Sequence, residues 1–332
     1  MKETLRNIIG KTLIASGFTR LSRRMIPKDG AVILYGHRLS ADNEGYLQGL
    51  DPRFFDQQLT YLTSSYSIIS LSELLGYYHR KATIPRNAIV VTFDDGFRDN
   101  FIHGLPLLRK HGVSACVFVT TDSIQTGRLP WSQRLGYMFQ KTTCDSILHP
   151  LSGPKPFPLK QVADRKRAYQ NVKRTIRRMV FDQREESLEQ ISALLDVVPP
   201  SDRMLTWDHC RELMRAGIEI GAHTVSHALL DEIPLEAARA EIQGSMDAIR
   251  DNLGLEHPPF CFPAGSFSDE LVGMVREIGF SSVFKPVHTV RVNNLTNSDP
   301  FSLQRIGLPN GPAHQLEAEL DGIFHLIRKV YR

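Results

Sequence analysis

A run of β-branched and aromatic residues, Ala88 to Phe93 (AIVVTF), ends abruptly in Asp94, Asp95 and Gly96. The run reads as a buried strand, so the fold has to bury this segment and still hold two neighbouring carboxylates at its mouth. Adjacent carboxylates in such a place repel each other and lose hydration, a cost that persists only if a cation or a shared proton offsets it. The pair therefore calls for a metal or for acid/base work. An Asp-Gly after a strand is also an ordinary turn, and the pair alone does not decide between the two.

A second feature lies far downstream. In Gly217 to His227, GIEIGAHTVSH, another short apolar segment runs into polar residues, and His223 and His227 stand four apart. In a helical turn or tight loop that spacing places both imidazoles on one side, as in many zinc chelates. An HxxxH pair by itself is common. A strand ending in Asp-Asp-Gly together with a strand ending in HxxxH is a much narrower coincidence, because one carboxylate and two histidines make a three-ligand site with an open position for water.

With these residues in view, the sequence resembles the polysaccharide deacetylase family, whose members carry the NodB-type domain of carbohydrate esterases. TFDDG at Thr92 to Gly96 is similar to the family's first motif and HTVSH at His223 to His227 to its second, and the resemblance runs from about Ala31 to Leu308. It implies that Asp94 is the catalytic base and that Asp95, His223 and His227 hold one divalent metal, zinc first, with cobalt, nickel or manganese also accepted by such a donor set. It implies a distorted, incomplete (β/α)7 barrel, and an N-acetylated hexosamine in a polysaccharide or glycan intermediate as substrate. The expected reaction is attack of metal-bound water on the acetamide carbonyl, with Asp94 taking the proton.

The chain departs from the family pattern in three places. The third motif, Arg-x-Pro-aromatic-Gly, reads FCFPAG here, so Pro263 and Gly265 match while Ala264 replaces the aromatic and the arginine is missing. The backbone N–H of Ala264 remains a candidate for the oxyanion, and Arg305 in SLQRIGL is a candidate substitute for the arginine that orients the base. The fifth motif, Leu-x-His, supplies the family's general acid and is absent. His37 is the replacement by position, in a first strand where Gly36 is inserted into the Tyr-His pair often seen in the exopolysaccharide branch.

The remaining chain supports one α/β unit. Its 332 residues, 42% hydrophobic and 23% charged, suffice for a single barrel with an insertion. Strand-like and helix-like segments alternate from Ala31 onward, which argues for a parallel sheet with helices outside it; residues 31–330 are assigned to the barrel domain. The alternation stops between Asp122 and Ser201. There the sequence passes through a proline-rich stretch into a helical one with nine basic residues between Lys155 and Arg178 against the single acid Asp164. Such a stripe would attract an anionic substrate, and Trp131 at the start of the insertion is a candidate sugar-stacking platform. The insertion is thus expected to act in substrate capture rather than in the chemistry.

Residues 1–30 place Lys2, Arg6, Lys11 and Arg20 around an amphipathic apolar pattern, and the longest uncharged stretch, Thr12 to Thr19, is too short to span a bilayer. The expectation is a peripheral contact with an anionic membrane or packing on the domain, in a protein that is cytoplasmic or peripheral to the inner membrane. Cys116, Cys144, Cys210 and Cys261 are too dispersed for a disulfide framework. No nucleic-acid partner is expected. The alternatives are another metal-dependent amide or ester hydrolase on the same barrel and a non-catalytic protein that binds anionic polymer or membrane.

Overall fold

The apolar segments lie side by side and run in one direction. In this computed structural model, residues 30–41, 49–148, 151, 155–287 and 291–321 are described. The first half of the chain forms β1 (Ala31–Gly36), α1 (Pro52–Ser65), β2 (Ser67–Ile68), α2 (Leu71–Arg80), β3 (Ala88–Phe93), α3 (Leu105–His111), β4 (Cys116–Val119) and α4 (Thr121–Thr126). The insertion follows as α5 (Trp131–Lys141), a small hairpin of β5 (Ser146–Ile147) and β6 (Phe157–Pro158), α6 (Val162–Ile176) and α7 (Phe181–Leu195). The barrel resumes with α8 (Trp207–Arg215), β7 (Glu219–Ala222), α9 (Leu235–Leu253), β8 (Phe260–Cys261), α10 (Asp269–Ile278), β9 (Val283–Val287), β10 (Leu303–Gly307) and α11 (Ala313–Leu320).

Seven parallel strands close in the order β1, β10, β9, β8, β7, β4, β3, with β3 pairing back to β1. The ring is distorted at β3. One edge of β3 pairs with β1 along its whole length, from Ala31 opposite Ala88 to Gly36 opposite Phe93. The other edge is shared: β2 takes its lower half, with Ser67 opposite Ala88, and β4 its upper half, with Cys116 opposite Thr92.

The two-residue period of a strand decides what fills the barrel. Ile33, Val90, Cys116, Phe118, Phe284 and Leu303 point inward and pack on one another. Their neighbours Leu34, Val91, Val117, Ile220, Val283 and Ile306 point outward against the helices. Gly221 of β7 is required by this packing, since a Cβ there would come within 2.6 Å of the Phe118 ring. Among the helices, Thr206 caps α8 by accepting from the His209 N–H, and Gly254 closes α9 in the left-handed conformation, as their residue types predict.

The sequence reads as one continuous helix from Asn100 to His111, but the first turn, Asn100–Gly104, is π-helical. Pro106 in the first turn of α3 has no N–H to donate, and the Leu105 N–H reaches back to Asn100 instead. HTVSH is a turn that follows β7 rather than part of a strand. The insertion has its own apolar cluster, built from Leu135, Met138, Val172, Ile176, Leu188 and Ile191. The amphipathic segment expected at residues 1–30 lies outside the described residues except for Gly30, and among the described residues no helix is long and apolar enough to cross a membrane.

Candidate metal centre and active site

Parallel strands deliver their C-terminal residues to one face of the barrel, the face that carries the active site in barrels of this kind. Here that face receives His37 after β1, Asp94 and Asp95 after β3, His223 and His227 after β7, Ala264 after β8 and Arg305 from β10. All of them line one cavity of about 490 Å³.

The two adjacent aspartates have different partners. Asp94 faces Arg305, which donates from Nη1 to Oδ1 at 2.8 Å and from Nη2 to Oδ2 at 2.7 Å. Both side chains are almost fully buried, with 2% of Arg305 and 5% of Asp94 exposed. The guanidinium also donates to Thr92 Oγ1 and Cys261 Sγ, and lies 4.8 Å from the centre of the Tyr35 ring and 5.4 Å from that of Phe118. Burial raises the Asp94 pKa, but the Arg305 charge outweighs it and holds the carboxyl below the usual range.

Asp95 faces the imidazoles. Its Oδ1 lies 3.4 Å from His223 Nε2 and 3.1 Å from His227 Nε2, and it receives no hydrogen bond although it is buried. His223 Nδ1 lies 2.7 Å from the Cys261 carbonyl oxygen, a contact that requires the proton on Nδ1. In the neutral ring Nε2 is then a bare lone pair aimed at a carboxylate oxygen. Two acceptors facing each other at this distance need a cation or a proton between them. Burial favours neutral forms of both groups. Cys261 and the Asp95 and Asp94 carboxylates nevertheless raise the His223 pKa well above 6.5, and the imidazoles hold Asp95 well below the usual carboxylate range. The donor atoms of Asp95, His223 and His227 lie within 4.8 Å of one another, and an oxygen with two nitrogens fits a divalent transition ion. Asp94, His223 and Cys261 form a second cluster of the same size. Its charge is already balanced by Arg305, so the first is the better cation site.

Backbone strain gathers at the same place. Asp95, Thr224, His227 and Ala264 all have positive φ, between 51° and 74°, which costs energy for residues other than glycine. Asp95 is followed by Gly96, at φ 82°, where a Cβ would also meet Ile124 at 2.9 Å.

The insertion differs from expectation. Trp131 is no sugar platform: it is 3% exposed, and its indole N–H donates to the His227 carbonyl at 2.9 Å. The apolar helix α5 needs its aromatic for the insertion's own core, and the ring is drawn inward. Part of the basic stripe is paired. Lys160 meets Asp145, Arg167 meets Asp164, Arg177 and Arg178 share Glu232, and Arg165 donates to backbone carbonyls. The insertion also touches the site. Gln133 of α5 lines the cavity and donates to Asp95 Oδ2 at 3.2 Å. Buried Arg184 of α7 donates to Ser226 in the histidine turn, and Ser226 in turn is held by Glu241 of α9. No sequence signal marks Gln133, because its role depends on where α5 docks. His37 is exposed at the rim, its ring edge-on to Tyr35 at 5.8 Å. Pro263 is buried, and its carbonyl accepts from the Ser266 N–H at 3.0 Å.

The barrel and its donor set define a metal-dependent hydrolase. The family model for polysaccharide deacetylase matches residues 81–283, more than half of the sequence, and the chain belongs to the polysaccharide deacetylase family. No match was found among curated proteins. Among solved structures, the Streptococcus pyogenes deacetylase PplD in complex with acetate is 16% identical, with a TM-score of 0.58 over 89% of this chain and 99% of that one. IcaB from Ammonifex degensii is 18% identical, with a TM-score of 0.58 and the same coverage. A de-N-acetylase from Aggregatibacter actinomycetemcomitans is 14% identical, with a TM-score of 0.55 over 85% of this chain and 96% of that one. At these identities the likeness concerns the fold.

The metal assignment has a direct consequence. Purified His223→Ala and His227→Ala are each expected to lose most bound divalent metal relative to wild type, because two ligands hold a dication far less well than three. Elemental analysis checks this, and wild-type metal content in both variants would rule the assignment out.

Proposed function

We propose that the chain removes acetyl groups from N-acetylated hexosamine in a polysaccharide or glycan intermediate, with Asp95, His223 and His227 holding one divalent ion and Asp94 as the general base. The observation that carries this reading is the division of labour between two neighbouring carboxylates, Asp94 clamped by Arg305 and Asp95 turned to two imidazoles. When bound, a divalent ion supplies Lewis acidity, polarising an amide carbonyl and making water acidic enough to attack it near neutral pH. Zinc suits the donor set best, with cobalt, nickel and manganese as substitutes.

The protein's own groups do the rest. Arg305 keeps Asp94 ionised and fixes its plane, and each Asp94 oxygen retains a lone pair that can accept the proton of the attacking water. The Ala264 N–H, on the exposed wall of the cavity, is the donor proposed for the developing oxyanion. His37 follows Gly36, which pairs with Phe93, and so sits beside Asp94 across the β1–β3 register. It is the proposed proton donor to the leaving amine. A second cavity of about 280 Å³ shares Tyr35 and His37 with the first, giving room for a neighbouring sugar. This favours a glycan over a small amide or ester.

Acetate release from N-acetylated oligosaccharides, compared with release from small N-acetyl amides and acetyl esters at equal concentration, tests the reading. Oligosaccharides are expected to be the better substrates by kcat/KM. Preference for the small compounds would favour the other hydrolase reading.

A further inference from the structure

We propose that Gln133 is a positioning residue of the metal centre, through which the insertion sets how Asp95 presents itself to the ion. The proposal rests on the reading that Asp95, His223 and His227 hold a divalent metal. Gln133 lies in the first turn of α5. Its Oε1 accepts from the Ser132 hydroxyl at 2.7 Å, which orients the amide so that Nε2 faces Asp95. Nε2 then donates to Asp95 Oδ2 at 3.2 Å, while Oδ1 faces the two imidazoles without a hydrogen bond. Asp95 is only 1% exposed, so water does not readily replace Gln133 at Oδ2.

The same helical turn is fixed against a second ligand residue by the Trp131 N–H on the His227 carbonyl, at 2.9 Å. One turn of the insertion thus contacts two of the three ligand residues, one through its side chain and one through its backbone. The hydrogen bond occupies one lone pair of Oδ2 and fixes the carboxylate with Oδ1 toward the imidazoles, so Gln133 would favour coordination through Oδ1. Partners that hold metal-binding carboxylates in this way contribute about 10–100-fold to metal affinity or activity. Loss of the donor frees the carboxylate to rotate and to engage the ion through both oxygens or neither.

The test uses Co²⁺ as probe on the full-length protein, with Gln133→Met, which keeps length and removes the donor, and Gln133→Ala as a second variant in case the first does not fold. Affinity is measured by competition with a chelator, coordination by the visible absorption of bound Co²⁺, and packing by the thermal midpoint of the metal-free protein. Expected are an affinity about 10–100-fold weaker and an altered Co²⁺ spectrum, with a metal-free midpoint close to wild type. Wild-type affinity and spectrum in a folded variant would overturn this proposal alone. Failure of wild-type protein to take up Co²⁺ would overturn the metal-centre reading, and this proposal with it.

Discussion

Asp94→Asn is expected to lower kcat for acetate release by about 10²–10⁴-fold, the usual span for removing a positioned general base. The asparagine amide cannot take the proton of the attacking water. Metal should stay, because Asp95, His223 and His227 are untouched. The variant will also be less stable than a surface substitution, since Arg305 loses its counterion and one of its Nη groups meets an amide N–H instead of an oxygen. Activity and metal content therefore need to be measured on protein shown to be folded at the assay temperature. Asp95→Asn is the contrasting case, expected to lose metal first, because a neutral amide oxygen is a poorer ligand for a dication than a carboxylate. Metal loss in Asp94→Asn with retention in Asp95→Asn would reverse the two roles.

Arg305→Met is expected to cost about 3–5 kcal/mol of stability, the range for breaking a buried ion pair by removing one partner. That is a large share of the about 5–15 kcal/mol that holds a typical domain together. The effect comes from leaving Asp94 buried without a counterion rather than from the net worth of the pair. The double variant Asp94→Asn/Arg305→Met should therefore recover part of the loss, a coupling that urea unfolding of the four proteins can read. Additive losses would argue against the pair as the origin. The same pair gives a pH dependence. Because Asp94 is held below its ordinary value of 3.8, its contribution is complete above that pH and is lost as the pH falls through the lower folded value. Arg305→Lys should not restore wild-type behaviour, since an ammonium group cannot bond both carboxylate oxygens in the planar fork that the guanidinium makes.

Asp94, Asp95, His223 and His227 could be singled out in the sequence because each follows an apolar strand, and parallel strands bring their C-terminal ends together. Arg305 could be picked only as a candidate. In SLQRI, period two puts Leu303 and Arg305 on one face and Gln304 and Ile306 on the other, and the pattern does not say which face is interior. The arginine is inside because Asp94 balances its charge there and Tyr35, Phe118 and Phe284 surround it. The insertion was the least legible part. Its apolar residues mark helices, but the partners of Trp131, Gln133 and Arg184 belong to a turn and a strand end distant in sequence. Nor does the count of basic residues from Lys155 to Arg178 show that Asp145 and Glu232, outside that window, pair with part of it.

The most direct measurement is acetate release from an N-acetylated oligosaccharide by wild-type protein as purified, after metal removal with a chelator, and after zinc or cobalt is restored. The account predicts release that falls to background on metal removal and returns with stoichiometric metal. Undiminished release from protein shown to be metal-free, or no release from any N-acetylated glycan by the fully metal-loaded protein, would contradict it.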